Sequence, residues 1–148
     1  MRRLLLILVP AFLVSSVGIV RAQAPAETHS VWDGVYTEEQ AKRGETVYQK
    51  ECAACHGAQL TGGESAPPLT GGVFQANWNG LTLGDLFDRI RKTMPLSKPN
   101  SLPRQQVADV LAFMLSNNKF PTGKTELYRQ SEMLKEIRFE TKKPAAKD

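Results

Sequence analysis

Glu51-Cys52-Ala53-Ala54-Cys55-His56-Gly57 is the stretch on which the reading of this chain turns. Cysteines at i and i+3 lie on one face of a helix, and a histidine directly follows the second. C-x-x-C-H is the attachment sequence of a c-type haem. The two sulfurs can add across the vinyl groups on adjacent pyrroles of one haem, and that attachment places the His56 imidazole under the iron. A thioredoxin-like redox pair shares the C-x-x-C but calls for a preceding strand in a βαβ unit, whereas the residues before Cys52 have helical spacing. A zinc site would need two more ligands, and His29 is the one other Cys or His in the chain. One covalently held haem (heme c, with its iron) is therefore expected on Cys52, Cys55 and His56.

Outward from this motif the pattern is helical. Thr37-Glu38-Glu39-Gln40 has the form of a capping box, and its two glutamates suit the positive end of a helix dipole. Ala41, Gly44, Val47 and Tyr48 continue at helical spacing, so a helix is predicted from Thr37 to about Ala54. Residues 57–80, with six glycines and Pro67-Pro68, read as one long loop, a length that usually covers something. Thr82 opens a second helix with Leu83, Leu86, Phe87 and Ile90 on one face, stopped ahead of Pro95. Ser101 is expected to cap a third, over Leu102 to Asn117, with Val107, Val110, Leu111, Met114 and Leu115 apolar and Pro103 tolerated in its first turn. Strand signal is slight, and the fold class is all-α. The predicted organisation is a signal peptide over 1–22, an N-terminal tail over 23–36, a haem domain over 37–123 and a charged extension over 124–148, the last either a short helix or an extended strap.

Haem iron held by one histidine has a sixth position, and Met94, Met114, Met133, His29 or no residue at all could occupy it. Met114 falls on the apolar face of the third helix, as a packing residue would. Met133 lies in the extension, and His29 in the tail, where chain ends are commonly exposed. Met94 follows a helix end in a loop closed by Pro95, so a thioether there is free of helical packing. It is the expected second ligand; methionine in that place raises the potential.

The N-terminus carries Arg2-Arg3, an apolar run from Leu4 to Val20 broken by Pro10, and small residues at Ala22 and Ala24. That is the form of a secretory signal, with cleavage expected after Ala22 and a periplasmic mature protein. The rival is an uncleaved membrane anchor, for which the run is short. No cysteine near residue 22 could carry a lipid. The formal charge of +4 falls to +1 once Arg2, Arg3 and Arg21 are removed, leaving 16 basic against 15 acidic residues. The basic balance is thus no argument for nucleic acid. Hydrophobic content of 41% and charged content of 23% are those of a globular domain.

From about Thr37 to Gly123 the chain resembles the class I c-type cytochromes, most closely the small single-haem bacterial group in which Thr-Met-Pro, here Thr93-Met94-Pro95, carries the distal ligand. The resemblance implies a cytochrome c fold of three to four helices and long loops around one haem. It implies that Gly44 and Tyr48 meet Val110 and Phe113 where the first and last helices cross. It places at Pro68, twelve residues after His56, the carbonyl that accepts the His56 Nδ1 proton, with Pro67 as the adjacent alternative. Asn77-Trp78 resembles the region covering the haem edge, where the Trp78 indole either donates to a propionate or simply packs.

With both axial positions filled no substrate reaches iron, and the chain is an electron carrier rather than an enzyme. Its expected partners are redox proteins: a periplasmic dehydrogenase as donor, and a terminal oxidase or another cytochrome as acceptor. Lys98 and Arg104 flank the Met94 loop and could steer an acidic partner or be ordinary surface charges. The alternatives are a fixed haem subunit of a quinoprotein dehydrogenase or oxidase complex, and a haem enzyme or sensor with an open sixth site. For the last, the sequence offers no distal His or Arg constellation; Arg89, Arg91 and Lys92 read as a solvated helix face.

Overall fold

Thr37 begins the first helix as its spacing predicts. In a computed structural model describing residues 29–145, α1 runs Glu38–Glu51 and the Thr37 hydroxyl accepts the Gln40 N–H at 3.1 Å. The second half of the expected capping box does not form, because the Gln40 side chain is drawn into the core instead. A one-turn helix, α2, follows at Ala53–His56. The long loop after it is interrupted by α3, Gly71–Trp78, which the sequence reading missed. Two glycines at its start hide it, yet Phe74 and Trp78 stand at i and i+4 and pack with ring centroids 6.4 Å apart.

The next helix, α4, spans Leu83–Thr93, and here the capping box is complete: Thr82 accepts from the Asp85 N–H and Asp85 accepts from the Thr82 N–H. Leu83, Leu86, Phe87 and Ile90 are buried, the face the spacing predicted. The last long helix, α5, runs Arg104–Asn117. It starts two residues later than expected, with Pro103 at the cap position rather than Ser101.

α1 and α5 cross at Gly44. A Cβ there would run into the backbone carbonyl of Asp109 and stand 3.0 Å from Phe113 Cβ. One turn on, the Tyr48 and Phe113 rings pack with centroids 5.2 Å apart, and Val110 is buried beside them. The expected crossing is present, with Asp109 as the residue of closest approach. Asp109 is itself 4% exposed and is held by Arg43, at 3.1 and 3.3 Å, and by Gln105 at 2.9 Å.

The flanks of this unit differ most from expectation. In the described part of the predicted tail, β1 (His29–Ser30) and a single turn over Val31–Asp33 lead to Tyr36; Val31 and Tyr36 are fully buried. The extension beyond Gly123 is a strap holding α6 (Ser131–Leu134) and β2 (Ile137–Arg138). β2 pairs in parallel with β1, His29 opposite Ile137, and the Trp32 indole donates to the Glu140 carbonyl at 2.8 Å. Leu127, Leu134, Ile137 and Phe139 point into the core. Phe139 packs edge-on against Phe120 and Phe74, and Phe120 against Trp32. Both flanks therefore belong to the folded unit. Each supplies isolated anchors without a period, and their burial arises from pairing with a segment about a hundred residues away, which local patterning does not reveal. Among the described residues no helix is long and apolar enough to cross a membrane. The predicted signal segment lies outside the described residues.

Candidate haem site

The site is built on the junction of α1 and α2. Cys52 closes α1, donating its N–H to the Tyr48 carbonyl at 2.9 Å, and its own carbonyl accepts from Cys55 and His56 at 3.2 and 3.0 Å. This turn presents Cys52, Cys55 and His56 together. Neither cysteine is in a disulfide. Burial first, then Glu51 and Cys55, pushes the Cys52 thiol up to about 11. A redox-active C-x-x-C pair calls for a preceding strand in a βαβ unit, whereas here α1 leads into the motif. Among the described residues no cluster of three His, Cys, Asp or Glu side chains could hold a metal ion.

His56 is 8% exposed, and its Nδ1 lies 2.8 Å from the carbonyl of Pro67. The expected acceptor was Pro68, so the register is corrected by one residue. Counting alone cannot separate two consecutive prolines. The loop does so by closing on itself: Gly62 N–H donates to the His56 carbonyl, Gly63 N–H to Ala66, and Leu69 N–H to Leu60, at 2.8 to 2.9 Å. That pairing turns the Pro67 carbonyl toward the ring. Gly62, at φ +74°, makes it possible, since a Cβ there would lie 2.6 Å from Pro68 N and 2.8 Å from Pro67 C. A carbonyl accepting at Nδ1 fixes the tautomer, with the proton on Nδ1 and the lone pair on Nε2, the form that ligates a metal.

A phenol supports the same turn. The Tyr48 hydroxyl donates to the Gly57 carbonyl at 2.7 Å, and burial, with a smaller contribution from Cys52, pushes its pKa up to about 12. The far side of the loop is anchored by Asn118, the residue just past the end of α5. Its amide donates to the carbonyls of Leu69 and Met114 and accepts from Gly71 N–H. A polar residue at a helix end facing a glycine-rich loop was the available signal.

Met94 is the C-cap of α4, in extended conformation. It is half-buried and packs against the core edge. The other sixth-ligand candidates are placed otherwise: Met114 is 1% exposed inside α5, Met133 is 40% exposed on the strap, and His29 is exposed on β1. Trp78, half-buried at the end of α3, packs on Phe74. Cys52, Cys55, His56 and the Pro67 carbonyl are thus gathered by one turn and its loop, while Met94 and Trp78 stand at the C-terminal ends of two further helices. Two thiols on one turn with a tautomer-fixed imidazole beside them fit a c-type haem, which supplies one-electron chemistry at iron. Cys52 and Cys55 would hold its edge and His56 its iron.

The crystal structure of the sulfane dehydrogenase SoxCD from Paracoccus pantotrophus is similar to this chain with a TM-score of 0.49 at 20% identity, over 83% of this chain and 68% of that one. No curated protein sequence matches significantly. The family model described as cytochrome c oxidase, cbb3-type, subunit III matches residues 39–114, just over half of the chain, from the first turn of α1 through the C-x-x-C-H turn and Met94 into α5. On that match, and on a helical fold built around the same turn, the chain belongs to this family of c-type cytochrome domains.

Proposed function

We propose that the protein is a class I, single-haem cytochrome c of the Thr-Met-Pro kind, exported to the periplasm, which shuttles one electron at a time between redox proteins by outer-sphere transfer. Family membership makes it a haem electron carrier rather than an enzyme. The observation that carries the finer reading is the His56 ring, locked through Nδ1 on the Pro67 carbonyl at 2.8 Å on the turn that carries both cysteines. Met94, held off the helix and half-buried, is the distal ligand in this reading, and the Trp78 indole donates to a propionate.

Docking falls beside the Met94 loop. Leu96, two residues on, is 79% exposed. An exposed apolar side chain close in sequence to Lys98 suits a small, transient interface with a partner whose rim is acidic. A dehydrogenase is the proposed donor and a terminal oxidase or another cytochrome the acceptor. A second reading, a fixed subunit of an oxidoreductase complex, draws on Tyr128 and Met133, apolar and 46% and 40% exposed on the strap.

Absorption spectra of the oxidised and reduced protein test the site. The expected wild type shows the weak long-wavelength sulfur-to-ferric-iron band, loses it on Met94→Ala, and keeps its haem after denaturation by mass. A high-spin wild type that binds carbon monoxide readily would overturn the carrier reading in favour of an open sixth site. Elution of the native protein with a large partner, haem intact, would move the fixed-subunit reading ahead.

A further inference from the structure

The strap beyond Gly123 touches neither cysteine nor His56, yet it is fastened to both of the helices that lead to the iron ligands. At one end it is tied to α1, which runs into the C-x-x-C-H turn. The buried Gln40 amide donates to the Leu127 carbonyl at 3.2 Å and its oxygen accepts the Leu127 N–H at 2.7 Å. Arg43 reaches Glu126 at 2.9 Å. At the other end it is tied to α4, which ends in Met94. Phe139 N–H donates to the Leu81 carbonyl and the Phe139 carbonyl accepts from Gly80 N–H, both at 2.8 Å, with a bridge between Thr82 and Arg138. α6 then lies directly on α4 at Gly84, where a Cβ would meet the Lys135 side chain at Cγ, 2.5 Å away, and stand 2.8 Å from the Ser131 carbonyl and the Lys135 nitrogen. The side chain could move aside but the two backbone atoms cannot, so α6 seats against α4 without a spacer and sets its position.

We infer that this strap is a positioning brace: it holds the arm carrying His56 and the arm carrying Met94 in fixed relation, and so sets how firmly the Met94 thioether stays on the iron. This inference rests on the reading of Met94 as distal ligand. An α-helix of eleven residues is about 16 Å of rigid rod, so displacing its first turn moves its last. α5 also packs on α4, but the three atoms nearest a Cβ at Gly84 all belong to the strap. A tie to α1 through one buried glutamine, paired at both its donor and its acceptor, is more than general packing requires.

The test uses the full, haem-loaded protein and imidazole, which competes with a thioether for ferric iron. The apparent affinity of a competitor scales with the fraction of molecules whose site is open. Gly84→Ala pushes α6 off α4; Gln40→Leu frees the other end and decides the matter if the first variant fails to retain haem. The control is wild type brought by urea to the stability of the variant. The brace predicts an imidazole affinity about fivefold or more above that control, the size of an ordinary coupling between sites, with a weaker sulfur–iron band and a lower potential. A smaller rise, with the band intact, overturns the brace. Met94→Ala separates the two failures: if that variant keeps the band, the ligand assignment is wrong and the brace falls with it.

Discussion

Replacing Gly44 by alanine sets two effects of opposite sign against each other, and the structure decides between them. Alanine in mid-helix is favoured over glycine by about 1 kcal/mol, so an exposed site would gain stability. Here the new methyl would overlap the carbonyl of Asp109, with Cβ of Phe113, one turn along the same helix, 3.0 Å away. A side chain could rotate aside; a carbonyl inside α5 cannot, because it is engaged in the helix. The helices must separate, loosening the Tyr48–Phe113 ring pair and the Arg43–Asp109 bonds together. Overpacking of this kind costs about 1–3 kcal/mol, and a backbone obstacle places it at the upper end. Subtracting the propensity gain leaves a net loss of about 2 kcal/mol. At about 4 °C per kcal/mol for a chain of this size, the Tm falls by about 8 °C. In urea the midpoint falls by about 1 M with the slope unchanged. Far-ultraviolet circular dichroism on the haem-loaded protein measures both. A Gly44→Ala protein as stable as wild type, or more so, would refute the crossing described for α1 and α5.

Gln40→Leu leaves the buried N–H and carbonyl of Leu127 without partners, and at about 1–3 kcal/mol for each orphaned group a urea midpoint should show a loss of about 2–6 kcal/mol. Tyr48→Phe removes the bond to Gly57 and should cost about 1 kcal/mol at neutral pH. It should also change the alkaline limb of stability. Burial raises the folded phenol from 10.0 to about 12, so the neutral form stabilises the fold fully below pH 10, and that contribution is lost as pH rises toward 12. Stability of wild type minus that of Tyr48→Phe should therefore shrink across this window; a constant difference would show that the phenol titrates normally in the fold. The Asp88 carboxyl is pushed up by burial, but Lys92 first, then Ser131 and Lys135, pull harder and hold it below its ordinary value. Its contribution is present above the unfolded pKa and lost as pH falls through the folded one, so Asp88→Asn should flatten the acid limb of a stability–pH curve.

The elements legible in the sequence were those whose signals are local. The Thr37 and Thr82 caps, the apolar face of α4 and the C-x-x-C-H turn each lie within a few residues, and the structure has them where spacing placed them. The proline carbonyl facing His56 was legible only to within one residue, because its register depends on how the loop at 60–69 pairs with itself. α3 was hidden by its glycines. Gln40 shows most plainly what local reading cannot reach. At N3 of a helix, a glutamine after Thr37 has every local reason to complete a capping box. It gives that bond up to satisfy a backbone N–H and carbonyl 87 residues away, which would otherwise be buried unpaired at a larger cost.

The same competition explains why the flanks are structured at all. The α1–α5 crossing secures only two of the helices. α4 has its buried face on one side and needs a cover on the other. The strap supplies it with Leu134, Ile137 and Phe139, and β1 in turn secures the strap through β2 and the bond from Trp32 to Glu140. Electron transfer is fastest when the iron ligands occupy the same positions in both oxidation states, since little then has to reorganise. In the proposed carrier reading the strap, secured by β1, stiffens the two helices that lead into the C-x-x-C-H turn and Met94, while Leu96 beside Met94 stays exposed. The stiffness and the exposure that a carrier needs are in this way provided by different parts of the fold.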